Sequence, residues 1–217
     1  MAQTKLITVD NFLSNPDLTR QYALGLEYQE GGGNFGIFPG VRAEMLPEDR
    51  ESWTELLKSS LGQITGSPNP KAKLSFYFQL AWSYHVSWIH ADLDEWAVVL
   101  PLTPDAPSNS GTGLFRHKAT GAKSTIGLSQ EDYNECVQDA YDETKWELLD
   151  CISNQYNRLV IYKGDQFHRS MRYFGRGPNT GRLFMVMFFS PTNDPTIEAR
   201  TKLAMTCSKT DFSSTSN

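Results

Sequence analysis

The N-terminal part of the chain shows apolar positions at helical spacing. Asn15 is suited to cap a helix and Pro16 to its first position, so the pattern predicts a helix over about residues 16–28, which ends before three glycines. A second helix is predicted to begin near Pro47. One face of it carries an apolar stripe of Trp53, Leu56, Leu57, Leu61 and Ile64. The sequence therefore predicts a helical support over about residues 1–70.

From Lys73 onward, the pattern changes to short β-branched and aromatic runs separated by turns. The first four runs are LSFYFQLAW, SYHVSWIHAD, WAVVLPLTP and GTGLFRHK. Two later runs, NRLVIYKGDQFH and GRLFMVMFFSP, are continuously apolar, which indicates central strands covered on both faces. Short strands at this spacing predict an all-β sandwich or barrel over about residues 71–192.

An acidic stretch over about residues 120–150 separates the two groups of runs. Ser129 and Asp132 resemble a capping box, and the rest of the stretch is predicted to be a solvated helix or an irregular insert. Residues 209–217 are small and polar, which predicts a disordered tail. Because 217 residues with 39% hydrophobic content can bury one good core, we interpret residues 1–208 as a single domain.

Charge and cysteine content exclude several classes of function. A net charge of -5 and a pI near 5.4 lack the basic excess with which nucleic-acid binders neutralise phosphates. The chain opens without a secretory signal and has no apolar run of about 18 residues, so we expect a soluble cytoplasmic protein with no membrane partner. Three cysteines without a Cys-x-x-Cys pair predict neither a disulfide framework nor a thiolate metal cluster.

The run WIHADLDEWAVVL carries the strongest chemical signal. It places His90 and Asp92 two residues apart, so that on a strand both side chains leave the same face. His168 ends a later apolar run. Two histidines and one carboxylate form the facial triad that leaves open positions on Fe(II), where 2-oxoglutarate and O2 can bind. The sequence therefore predicts a metal site at His90, Asp92 and His168.

An arginine follows this triad at the start of the next apolar run. By parity, Arg182 shares a face with Phe184, Val186 and Phe188, and a charge that faces an apolar interior needs a partner. The remote carboxylate of 2-oxoglutarate would supply one as a bidentate pair. The alternative is an arginine that points to solvent or pairs with a structural carboxylate, and Arg176 competes for the cosubstrate role.

Residues 5 to 190 resemble the 2-oxoglutarate- and Fe(II)-dependent oxygenase superfamily, in particular its prolyl-hydroxylase-like branch. The motifs that carry the resemblance are DNFLSNPDLTRQYAL, FPGVRA, WIHADLDEWAVVL, GTGLFRHKATG, NRLVIYKGDQFHRSMRYFG and GRLFMVMFF. It implies a double-stranded β-helix, which is a mainly β jelly roll of the cupin type with flanking helices. It also implies that His90, Asp92 and His168 bind iron and that Arg182 binds 2-oxoglutarate.

The chain departs from this family in two respects. The interval from His168 to Arg182 is longer than in many hydroxylases, which is why Arg176 competes with Arg182. Relatives often carry a tyrosine that helps to hold the remote carboxylate, and Pro101 stands at the corresponding place in VVLPL. Since proline cannot donate to a sheet ladder, an edge strand or a bulge is expected there. Tyr77 and Gln79 share one face of SFYFQL and are candidates for the missing contact, although ordinary sheet packing is an equal alternative.

These observations favour a dioxygenase that hydroxylates an unactivated C–H bond of a small molecule or a peptidyl side chain, with Fe(II), 2-oxoglutarate and O2 as cofactor and cosubstrates. One alternative is a cupin-like metalloenzyme that does not use 2-oxoglutarate, because the same ligands bind other metals. Another is a non-catalytic jelly-roll binding module. The metal motif does not identify the substrate.

Overall fold

The protein was analysed as a computed structural model that describes residues 6–30, 38–65, 75–190 and 201–203. Within these ranges, the helices longer than one turn are α1 (Pro16–Leu24), α2 (Pro47–Thr65) and α3 (Gln130–Gln138). The strands are β1 (Leu6–Val9), β2 (Gln29–Glu30), β3 (Val41–Glu44), β4 (Ser75–Ala81), β5 (Trp96–Pro101), β6 (Thr112–His117), β7 (Trp146–Ile152), β8 (Leu159–Lys163), β9 (His168–Ser170) and β10 (Arg182–Phe189).

These strands form one large and one small sheet. The large sheet has the order β1-β8-β5-β10-β4-β3-β2, and the small sheet has the order β7-β6-β9. Every neighbouring pair is antiparallel. The chain passes from the large to the small sheet between β5 and β6 and again between β8 and β9, and it returns between β7 and β8 and between β9 and β10.

The large sheet buries both of its faces, because each face contacts a different apolar cluster. One face packs against α1 and α2, through residues that include Ala23 and Trp53. The other face packs against the small sheet. That second cluster consists of Ala97, Val99, Leu114, Ile152, Val160, Tyr162, Phe184 and Val186. Burial on two faces explains why β8 and β10 read as continuous apolar runs, and the prediction of central strands is confirmed.

The predicted helices are present, with local differences. The Asn15 side chain accepts a hydrogen bond from the Leu18 amide, and α1 ends at Leu24 rather than near residue 28. The helix α2 begins at Pro47 as predicted. Trp53 packs against the core, whereas Leu56 is 47% exposed. The remaining side chains of the predicted stripe lie outside the described residues.

One predicted strand is wrong. After β4 ends at Ala81, the run SYHVSWIHAD forms no regular strand, and only His90 makes an isolated bridge. A tight turn diverts the chain, because the His85 amide donates to the Trp82 carbonyl at 2.9 Å and the His85 ring accepts from the Trp82 amide at 2.9 Å. A side chain that satisfies its own turn competes with sheet pairing here.

The strand that contains Pro101 is central rather than at an edge. It lies between β8 and β10, so the expectation of an edge strand or a bulge is wrong. Pro101 is the last residue of β5, and pairing with β8 has already ended at Val99. Proline has no amide N–H to donate, but at this position β8 needs no donor because its pairing with β5 has already ended.

The acidic insert is part helix and part strand. Ser129 accepts a hydrogen bond from the Asp132 amide and caps α3, which confirms the capping prediction. The end of the insert forms β7, however, and not a helix or irregular segment. Its five central residues are exposed while Trp146 and Ile152 are buried, as suits an edge strand of the small sheet. The predicted disordered tail lies outside the described residues, and no helix within them is long and apolar enough to cross a membrane.

Asn157 joins the segment before α1 to the large sheet. Its side chain accepts from the Leu13 amide and donates to the Leu13 carbonyl, both at 2.9 Å. Its own amide donates to the Pro101 carbonyl at 3.0 Å. The residue has a φ of 60°, a left-handed conformation that asparagine tolerates better than most side chains.

We expect Asn157→Ala to lower the free energy of unfolding by roughly 2–3 kcal/mol, because two buried hydrogen bonds are lost and alanine is strained at this φ. Asn157→Gly loses the same hydrogen bonds without the strain and should cost less. Urea denaturation of both variants measures the difference. An unchanged midpoint for Asn157→Ala would show that this anchor does not stabilise the fold.

Candidate metal centre

The candidate centre begins with a pair of backbone hydrogen bonds between two distant segments. The His90 amide donates to the His168 carbonyl at 2.9 Å, and the His168 amide donates to the His90 carbonyl at 2.8 Å. Residues that exchange both bonds across an antiparallel pair carry their side chains on the same face. The two imidazole rings accordingly lie 4.5 Å apart between centroids.

The third candidate ligand is held by the turn after β8. The Asp92 amide donates to the Gly164 carbonyl at 2.7 Å, and the Gly164 amide donates to the Glu95 carbonyl at 2.8 Å. These two hydrogen bonds hold the short loop that carries Asp92 against Gly164, four residues before His168. The three predicted ligands come together although His90 does not lie on a regular strand.

Both histidines present the same nitrogen to the carboxylate. Nδ1 of His90 is 3.0 Å from the Trp88 carbonyl, and Nδ1 of His168 is 2.8 Å from the Gln166 carbonyl. These contacts fix a tautomer with the proton on Nδ1, so Nε2 carries the lone pair for a ligand. The Nε2 atoms lie 3.8 and 3.3 Å from the two oxygens of Asp92.

This arrangement fits a divalent metal ion. One ligand atom from each of the three residues lies within 4.8 Å of the others. Oδ2 of Asp92 is buried and has no hydrogen bond of normal geometry, which is a costly state for a carboxylate without a cation. Two imidazoles and one carboxylate suit iron among the first-row metals, and also manganese, nickel or zinc.

The electrostatics of the three residues agree with a cation between them. Burial, with a further contribution from His168, lowers the pKa of His90 to about 4, so this ring is neutral at pH 7. Burial alone would raise the pKa of Asp92, but His168 and His90 outweigh it and lower the pKa. The pKa of His168 is raised by Asp92 against the effect of burial. A bound metal ion would displace the proton that Asp92 favours on His168.

A cavity of about 320 Å³ opens at the triad. Its walls are mostly apolar and include Trp88, Val99, Val186 and Phe188. A volume of this size is at the lower end for small-molecule sites. The candidate metal centre therefore faces a cavity with room for small ligands.

Arg182 is fully buried beside this cavity. Its side chain is 1% exposed, and Nη2 makes a single long hydrogen bond of 3.3 Å to the Gly111 carbonyl. Nε and Nη1 have no partner in the described structure. The guanidinium lies 5.5 and 4.6 Å from the rings of Tyr173 and Phe184, which line the cavity. A buried guanidinium with two unsatisfied donors is suited to bind an anion.

The other sequence-predicted candidates lie in different settings. Gln79 lines the cavity, but its amide oxygen accepts from Arg42 at 3.0 Å and its amide nitrogen donates to the Pro39 carbonyl at 2.7 Å. Tyr77 lines a neighbouring cavity of about 500 Å³. Their cosubstrate role stays a prediction. Arg176 is exposed, which favours Arg182 as the buried anion partner.

Two residues of the cavity were not singled out from the sequence. Tyr162, on β8, is buried, and its ring lies 4.7 Å from that of His168. Arg42, on β3, lines the cavity with the triad. Tyr162 belongs to a continuously apolar run on a buried central strand, so the sequence does not distinguish it from ordinary core residues. Arg42 lies within FPGVRA, but the pairing of β3 with β4 that aims it at the cavity is not visible in a single sequence.

Residues 1–189 match the model of the family of unknown function DUF6445. The chain belongs to this family. No curated protein matches the DUF6445 chain in sequence.

Solved structures show which fold the DUF6445 chain has. HygX from Streptomyces hygroscopicus, solved with nickel and 2-oxoglutarate, aligns with a TM-score of 0.57 at 12% identity over 88% of this chain and 84% of HygX. AviO1 from Streptomyces viridochromogenes aligns with a TM-score of 0.55 at 14% identity over 89% of this chain and 93% of AviO1. A Pseudomonas putida prolyl-4-hydroxylase aligns with a TM-score of 0.51 at 15% identity over 87% of this chain and 94% of the hydroxylase. The predicted double-stranded β-helix is confirmed as the fold.

We expect Gly164→Ala to weaken metal binding by at least about tenfold. A Cβ at this position would lie 2.2 Å from the Asp94 carbonyl oxygen and 3.2 Å from Cβ of Asp92, so the loop that holds Asp92 must shift. Calorimetric titration with Ni(II) measures the change. Gly177→Ala is the matched control, because a Cβ there meets nothing within 4 Å. Equal affinities for the two variants would contradict this account of how Asp92 is positioned.

Proposed function

We propose that this DUF6445 chain is an Fe(II)- and 2-oxoglutarate-dependent dioxygenase that hydroxylates an unactivated C–H bond of a small molecule or a peptidyl side chain. The observation that carries the proposal is the pairing of two features. The triad of His90, Asp92 and His168 opens onto a cavity, and the buried Arg182 beside that cavity has two donors without a hydrogen-bond partner among the described residues. HygX, which shares the fold, has been solved with nickel and 2-oxoglutarate.

In this proposal, the three triad residues hold the iron through Nε2 of each histidine and the Asp92 carboxylate. When bound, the iron activates O2, and the oxidation of the substrate is coupled to conversion of 2-oxoglutarate into succinate and CO2. The carbonyl contacts at the two Nδ1 atoms keep both rings in one orientation, so the ligands need little rearrangement.

Arg182 would bind the remote carboxylate of 2-oxoglutarate. Nε and Nη1 are the two unsatisfied donors, and a planar guanidinium pairs with a carboxylate through two such N–H groups. Burial makes this pair strong, because little water competes for either charge. An anion would approach Arg182 from the end of the cavity formed by Tyr162, Tyr173 and Phe184.

Tyr162 would supply the hydroxyl that relatives often provide from a tyrosine at the position of Pro101. Its side chain lines the cavity and is close enough to Arg182 for the two to interact electrostatically. Within the described part of the chain its hydroxyl makes no hydrogen bond. A phenol beside the guanidinium would donate a second hydrogen bond to the same carboxylate. This assignment competes with that of Gln79, whose amide atoms already have protein partners.

The apolar walls would exclude water from the reacting centre. Val99, Val186 and Phe188 come from β5 and β10, which are rigid central strands. A dry cavity protects a reactive oxidant from side reactions and strengthens the ion pair at Arg182. The substrate would enter between these walls and Trp88, on the irregular loop that precedes His90.

Anaerobic titration of the Fe(II)-loaded protein with 2-oxoglutarate tests the proposal. We expect the weak visible charge-transfer band of the chelate to appear in the wild type. Arg182→Met should weaken 2-oxoglutarate binding by at least about tenfold, because it removes a buried bidentate pair. Arg176→Met is the control, since it removes an exposed arginine from the preceding loop and should bind like the wild type.

Two other outcomes would favour the alternatives. Metal binding without any response to 2-oxoglutarate would contradict the proposal and favour a cupin-like metalloenzyme. Absence of metal binding by the folded protein would favour a non-catalytic jelly-roll module. Succinate release, measured in the presence of O2, separates a working oxygenase from a protein that only binds the cosubstrate.

Tyr162→Phe provides an independent test of the cosubstrate end of the cavity. The substitution keeps the ring that packs against His168 and removes only the hydroxyl. We expect the Kd for 2-oxoglutarate to rise by about three- to tenfold, with Ni(II) affinity unchanged. Wild-type affinity for 2-oxoglutarate would assign Tyr162 to packing alone.

A further inference from the structure

Arg42 is a second arginine at the cavity and is held in one orientation. Its Nε donates to the Gln79 side chain at 3.0 Å, and Gln79 in turn donates to the Pro39 carbonyl at 2.7 Å. The guanidinium lies 4.0 Å from the centre of the Phe38 ring and 5.6 Å from that of Tyr77. A stacked guanidinium with a fixed Nε presents its terminal nitrogens, Nη1 and Nη2, in a defined direction.

Those terminal nitrogens have no protein partner among the described residues. Arg42 forms no salt bridge in that part of the chain, and its single hydrogen bond uses Nε. The charge with the largest electrostatic effect on it is the Asp92 carboxylate, which belongs to the candidate metal centre. Asp94 also lines the cavity, and its carboxylate accepts a hydrogen bond from the Ser190 hydroxyl at 3.1 Å. The guanidinium thus faces the cavity with two donor groups unused.

The unused donors of Arg42 differ from those of the other arginines near the cavity. Arg169, which also lines the cavity, forms an ion pair with Glu143 at 2.6 Å. Arg182 is assigned to the cosubstrate in the proposed function. Arg42 and Asp94 cancel as formal charges of the lining, so it is the pair of unused N–H groups on a largely buried guanidinium, and not a net charge, that requires a hydrogen-bond acceptor.

We propose that Arg42 binds a carboxylate of the organic substrate, so that the substrate class is a small carboxylic acid. This inference rests on the proposed function, because it assigns the cosubstrate to Arg182. Nη1 and Nη2 offer two parallel N–H groups end-on, the geometry that a carboxylate accepts in bidentate form. The cavity of about 320 Å³ must also contain 2-oxoglutarate, which favours a small acid or the carboxyl end of a larger molecule.

The arrangement also determines how such a substrate would lie. Its carboxylate would rest against Arg42 on β3, and its carbon chain would extend along the apolar walls toward the triad. The oxidised C–H bond would therefore be at the end away from the carboxylate. Gln79 and Phe38 act as positioning residues in this scheme, because they orient the guanidinium.

The test uses the full-length protein loaded with Ni(II) and 2-oxoglutarate, so that binding is measured without turnover. The probes are amino acids, N-acetylated amino acids and short aliphatic or aromatic acids, each compared with its primary amide. We expect at least one acid to bind the wild type at least about tenfold more tightly than its amide in calorimetric titration. Arg42→Met should abolish this preference while the Kd for 2-oxoglutarate changes by less than about threefold.

Two further variants control the interpretation. Arg116→Met removes an arginine from an exposed pair with Glu147 and should leave the acid preference intact. Arg42→Lys keeps the charge without the planar fork and should retain only part of the preference. It also serves as the informative variant if Arg42→Met does not fold, which thermal unfolding shows.

The proposal is wrong if no acid in the panel binds the wild type more tightly than it binds Arg42→Met. It is also wrong if Arg42→Met weakens 2-oxoglutarate binding as much as Arg182→Met does, since Arg42 would then hold the cosubstrate. Failure of the proposed function gives a different result, because the Ni(II)-loaded wild type would not bind 2-oxoglutarate at all. The acid and amide titrations can still be made on the Ni(II)-loaded protein in that case.

Discussion

The candidate site depends on one pair of backbone hydrogen bonds, those that His90 and His168 exchange. The first residue comes from a loop that follows the large sheet, and the second begins a strand of the small sheet. Where these two segments meet, the imidazoles face the same space and Asp92 is brought between them by the Gly164 turn. The cavity opens at this junction, and both histidines line it.

The parts of this arrangement that a single sequence predicts are those encoded by local pattern. Continuous apolar runs identify β8 and β10 because both faces of the large sheet are covered. The ligand types and their order along the chain predict the triad, since few combinations of side chains suit a metal with open positions. Arg182 is predictable because a charge within an apolar strand requires a buried partner.

Long-range pairing explains the parts that were missed. The irregular loop before His90 reads as a strand, because its aromatic and β-branched residues resemble one, and the turn at Trp82 depends on the imidazole of His85. The orientation of Arg42 depends on the register between β3 and β4, where it faces Gln79. The central position of Pro101 similarly depends on where β8 stops beside β5. The partners of Arg42 and Pro101 are distant in sequence, and the turn at Trp82 is local but depends on a side-chain hydrogen bond, so periodicity alone identifies none of them.

The attachment of the N-terminal segment has a consequence for how the protein is made. The first strand pairs with β8, and Leu13 bonds to Asn157 across 144 residues of chain. During synthesis, β1 leaves the ribosome long before β8 and cannot pair until β8 has also emerged. His168 emerges later still, so the metal-binding triad is complete only when most of the sheet strands have been made. A metal ion that needs all three ligands can therefore bind only after most of the sheet has been synthesised.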